Sequence, residues 1–159
     1  MRLPGQRCES ERYAKMVATK IEITQNESLC AAIESTGTLN DRDKPLATFR
    51  QSVRLIRGTP RLEFNIDIHL LEPLIASINH YVCSRVAWKS EAARTFANVM
   101  ESRSQVTRQW FQATNFVTVA DEHSLTMLTE GLPFHRRPNR RMIDSLLIVA
   151  GETQSSFVS

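Results

Sequence analysis

No run of apolar residues in this chain approaches the roughly eighteen that a membrane-spanning helix needs. Residues Met1 to Gly5 also lack the apolar core of a secretory signal. Cysteine is scarce: Cys8, Cys30 and Cys83 lie far apart, are odd in number, and form neither a CxxC pair nor a pairing with His at ligand spacing. That pattern excludes a disulfide scaffold and a zinc module, and it fits reduced thiols in a cytoplasmic or nuclear compartment. There is no internal repeat, no sustained heptad, and no Walker A loop, GxGxxG, HExxH or GxSxG motif. Nucleotide, dinucleotide, metalloprotease and nucleophile-elbow chemistries therefore have no signature here, and neither a cofactor nor a metal is expected.

What is present is ordinary for a globular protein. The 159 residues suit a single domain, 1–159, with a flexible tail over 152–159. The hydrophobic fraction is 42% and the charged fraction 23%, enough for one buried core. The net charge is only +3, which permits an anionic partner without requiring one. The basic excess collects in one region. Between Tyr81 and Ile143, positions 85, 89, 94, 103, 108, 136, 137, 140 and 141 are Arg or Lys, whereas only 91, 101, 121, 122 and 130 are acidic.

Within that region, Ser90 to Gln112 has the outline of two short amphipathic helices with a break between them. Ala93, Phe96, Ala97 and Met100 recur at the spacing of one helical stripe. Ser102 stands three residues before Gln105, as in a capping box that starts a second helix. On that second helix Val106, Trp110 and Ala113 share a face, while Arg103, Gln105, Arg108, Gln109 and Gln112 project elsewhere. Forked donors of this kind suit guanine and adenine edges. The run SQVTRQWFQ resembles the third helix of homeodomains and the recognition segment of phage-type repressors. The resemblance covers some twenty residues and implies a helix-turn-helix core over 90–131, with those five side chains presented to duplex DNA.

The remaining segments read as mainly α with a minor β element, an α+β fold. Helical stripes are expected around Tyr13–Ile21, after an N-cap at Asn26, from Pro45 to Gly58, from Pro73 toward Trp88, and from Asp121 to Gly131. The Pro45–Gly58 stripe is similar to the first half of a helix-turn-helix in plasmid-type repressors. Residues 132–141, with two prolines and Arg136, Arg137, Arg140 and Arg141, read as a basic loop that would track phosphates. Met142 to Ala150 fits a helix or a buried strand equally.

One stretch changes period. Leu62, Phe64, Ile66, Ile68 and Leu70 alternate with Glu63, Asn65, Asp67 and His69, the pattern of a strand with one buried face. Its partner is expected to be Phe116–Val119, Leu146–Val149 or the same strand of a second copy.

The sequence thus points first to a dimeric, non-enzymatic helix-turn-helix regulator of transcription that binds duplex DNA. The rival is a non-enzymatic interaction or assembly subunit whose arginines meet a protein partner. A weaker third reading is a small metal-dependent enzyme using Glu63, Asp67 and His69.

Overall fold

The computed structural model describes residues 13–74, 80–99 and 102–149. Every regular element among them is a β-strand, and the strands form three antiparallel four-stranded sheets. The chain divides into two compact units, Met1–Pro73 and Leu74–Ser159.

The first unit is a meander of four long strands: β1 (Lys15–Asn26), β2 (Cys30–Asp41), β3 (Lys44–Ile56) and β4 (Leu62–Leu70), hydrogen-bonded in that order. Its turns are short. Arg42, with φ of 58°, and Asp43 join β2 to β3, and Gly58 supplies the left-handed residue, φ 81°, between β3 and β4. Gly37 in β2 is required for another reason. A Cβ there would stand 2.0 Å from the Val17 carbonyl oxygen and 2.9 Å from the Phe49 ring, so the neighbouring strand and the aromatic side chain close over a bare backbone. The strand β1 departs twice from regular pairing, at Thr19 and at Thr24.

The second unit holds two sheets. One runs β10 (Ser124–Leu128), β9 (Phe116–Ala120), β6 (Arg94–Val99), β7 (Ser102–Gln105). The other runs β5 (Tyr81–Ala87), β12 (Met142–Val149), β11 (Phe134–Asn139), β8 (Trp110–Gln112). Ala93, Ala97, Val106, Ala113, Val117, Val119 and Ile143 make one core drawn from both sheets, with Trp88, Phe111 and Met127 packed against it. The alanines and Thr95, which is 1% exposed, point inward from β6 and its approach, and they let the layers approach closely.

The mainly α, α+β expectation is therefore wrong, and with it the helix-turn-helix. Ala93 and Ala97 do face the core, but Ala93 just precedes β6 and Ala97 lies on it, a strand whose inward positions are Thr95 and Ala97. The presumed capping box Ser102–Gln105 is β7, hydrogen-bonded to β6 from Phe96↔Gln105 to Val99↔Ser102. The run SQVTRQWFQ is split between β7 and β8, which belong to different sheets. Residues 134–139 of the expected basic loop are β11, and Met142–Val149 is β12. The alternating 61–70 stretch is β4, but its partner is β3. The segment 152–159 and part of the expected Pro73 helix lie outside the described residues.

Candidate interaction surface

Strand register sorts the side chains of the first sheet onto two faces. One face carries Met16, Ala18, Ile21, Ile23 and Asn26 of β1; Ala31, Ile33, Ser35, Gly37 and Leu39 of β2; Ala47, Phe49, Gln51, Val53 and Leu55 of β3; and Leu62, Phe64, Ile66, Ile68 and Leu70 of β4. No charged residue stands among them. A continuous row, Ile23–Ile33–Val53–Phe64, crosses all four strands. Toward one end of the face, Ala47 and Phe49 are buried. Toward the other, Ile21 (68%), Ile23 (69%) and Phe64 (55%) are largely exposed, and so are Ile33, Leu55 and Leu62. Together these six leave roughly 600 Å² of apolar surface in one patch, at the upper limit for a typical monomer.

The opposite face is charged and self-satisfied. Arg50 meets Glu34 at 2.8 Å, Glu63 lies between Arg54 at 3.6 Å and Arg61 at 3.3 Å, and Lys20 meets Glu22 at 2.7 Å. Arg54 Nε also donates to the buried Cys30 Sγ at 3.1 Å, and that thiol donates to Gln25 Oε1 at 3.2 Å. Glu63, Asp67 and His69 share this face as expected from strand spacing, yet Glu63 is engaged by two arginines. Among the described residues no group of three or more His, Cys, Asp or Glu is close enough to hold a metal ion.

In the second unit one row crosses the sheet of β5, β12, β11 and β8: Arg85, Asp144, Arg136 and Trp110 are register partners in turn. Asp144 is fully buried and accepts from Arg85 Nε at 2.5 Å, Arg85 Nη2 at 2.8 Å and the Tyr81 hydroxyl at 3.0 Å. Arg136 Nη1 donates to the same tyrosine oxygen at 2.6 Å, and its guanidinium lies 5.4 Å from the Trp110 ring centre. Burial pushes the Tyr81 hydroxyl and the adjacent Cys83 thiol up to about 12. On the other face His135 is fully buried and stacks on Phe111. Its Nε2 faces the carbonyls of Ala113, 2.8 Å, and Leu132, 3.1 Å, so it carries the proton, while Nδ1 accepts from Ser145 Oγ at 3.1 Å. Burial lowers its pKa and keeps the ring neutral.

The residues read as a DNA-facing set are dispersed. Gln105, Arg108 and Gln112 do line one groove of about 480 Å³, together with Val99, Ser104, Val106, Thr107, Trp110 and Phe111. Arg103 lies instead over the Phe96 ring, 4.1 Å from its centre, and Gln109 accepts the Arg137 backbone N–H at 2.7 Å through its carbonyl. Arg136 is drawn into the tyrosine–aspartate cluster. Arg137 donates to the Val106 carbonyl at 3.0 Å, and burial followed by the neighbouring Arg140 lowers its pKa. Arg140 is exposed at the end of the β11–β12 hairpin, and Arg141 lies 3.6 Å from Glu91. No helix presents them to a groove of DNA, so the sequence-specific regulator is set aside.

Sequence reasoning missed the apolar face, although Ile21 and Ile23, and Val53 and Leu55, carry the two-residue period that would have shown it. Comparison with models of protein families, with curated proteins and with solved structures finds no match. Fold and surface together define a chain whose described residues form antiparallel β-sheets, with an exposed, uncharged apolar patch on one sheet face. Among the described residues, no helix is long and apolar enough to cross a membrane.

Proposed function

We propose that this chain is a non-enzymatic interaction module whose first sheet docks its apolar face against another protein layer. The observation that carries the reading is the chargeless face whose exposed end holds Ile21, Ile23, Ile33, Leu55, Leu62 and Phe64. Soluble domains expose single apolar side chains freely, but a contiguous patch of this size marks an interface. Two-layer packing is the usual way in which a sheet with one apolar face is stabilised. The charged face remains toward water, where its ion pairs are already closed. A reducing, cytoplasmic compartment suits the free thiols Cys30 and Cys83.

The experiment is the double substitution Ile23→Lys/Phe64→Lys. Residues waiting for a partner tolerate Lys in the unpartnered chain, so thermal melting should move by no more than surface substitutions do, about 0.5 kcal/mol per site. Binding of an apolar reporter dye should fall at the same time. A loss of several kcal/mol would place both residues inside a core and end the docking reading.

A further inference from the structure

We infer that the layer covering this face is a second copy of the same chain, packed face to face with the first; the inference rests on the docking reading above. Three properties of the patch select that occupant. The first is area. Two patches of roughly 600 Å² remove about 1,200 Å² from water, the lower bound for a specific, stable protein interface. The second is charge. The exposed end of the face carries no charged side chain, and its polar members there are Asn26, Ser35 and Gln51. Two identical faces therefore meet without like-charge repulsion, whereas any charged patch would oppose its own copy. The third is shape. Stacked sheets need matching extent and twist, with strand directions within about 30° of each other. A second copy supplies a face of equal size and the same hand of twist, and a two-fold axis pairs the patch with itself.

The segments outside the described residues are short and poor in apolar side chains. Residues 1–12 contain Met1 and Leu3 as large apolar side chains, 75–79 contain Ile75 and Ile78, 100–101 contain Met100, and 150–159 contain Phe157 and Val158. No one of these segments has the apolar content to replace a second sheet over six exposed large side chains.

Sedimentation of the full chain across a micromolar concentration series tests this. The expected result is a reversible shift from the 18.1 kDa mass of one chain toward twice that value. Ile23→Lys/Phe64→Lys should remain at the single-chain mass, with melting unchanged from the parent's at concentrations where the parent is also a single chain. Lys20→Ala/Asp67→Ala, on the opposite face, should associate like the parent. Ile21→Lys, on the edge strand, should likewise stay folded and weaken association at least tenfold. A parent that keeps the single-chain mass at every concentration overturns the second-copy inference. The docking reading survives that result if the dye still binds the patch and the lysine variants still melt normally. Association that persists in the folded lysine variants also overturns the inference, because the contact then lies elsewhere. Variants that lose several kcal/mol overturn both readings at once.

Discussion

His135 is the residue whose chemistry is most constrained. Its ring is fully buried, with Nε2–H directed at two carbonyls and Nδ1 accepting from Ser145. The neutral form satisfies every partner in place. In the unfolded chain the imidazole protonates near its ordinary value of about 6.5, and burial lowers that value in the folded state. The unfolded state then binds more protons below that pH, so folding stability is complete above about 6.5 and declines as the pH falls toward the folded-state pKa. Denaturant unfolding at pH 7.5, 6.5 and 5.5 should show that decline. The His135→Gln variant, destabilised at every pH, should show less of it. An equal slope in both proteins would assign the acid sensitivity to other groups.

At the scale of elements, the row Arg85–Asp144–Arg136–Trp110 ties four strands of one sheet together through side chains as well as backbone. A buried carboxylate that loses its charge leaves its guanidinium without compensation, which costs more than the ion pair itself contributes. Asp144→Asn should therefore lower unfolding stability by about 3 kcal/mol, read from the denaturation midpoint at constant slope. A change below about 1 kcal/mol would mean that water already reaches the pair.

The same scale explains what the sequence made legible. β4 was readable because its five apolar residues alternate without a fault against four polar ones. β3 was not, since Gln51 interrupts the inward series Ala47, Phe49, Val53, Leu55. That leaves Leu46, Phe49, Val53 and Ile56, which mimic a helical stripe. On β6 the inward residues are Thr95 and Ala97, which hydropathy patterns do not register as core. Ala93, Phe96, Ala97 and Met100 then supply a false three-and-four spacing. β1 resisted reading for a further reason: as an edge strand it is exposed on both faces, and its two departures from regular pairing shift the phase of the alternation. The polar cluster around Asp144 joins residues 63 positions apart in sequence, Tyr81 and Asp144, and no local spacing announces such a contact.

For the whole molecule, the partition of charge matters more than its sum. The net charge of +3 is small, and on the first sheet the charged side chains lie on the face opposite the apolar patch. An association made through that patch owes little to Coulomb attraction and much to apolar burial. Raising sodium chloride from 50 to 500 mM should leave the dimerisation constant within about threefold, and sulfate at the same ionic strength should tighten it. A tenfold or greater weakening with salt would move the contact to the arginines of the second unit.

The two irregularities of β1 at Thr19 and Thr24 have a consequence for how far assembly proceeds. Open-ended growth of a β protein uses unpaired strand borders as templates, and a border with phase breaks offers no uninterrupted ladder to copy. On the second-copy inference, a pair joined by its apolar faces would have consumed the surface that united it, and the β1 border would be a poor template for a further strand.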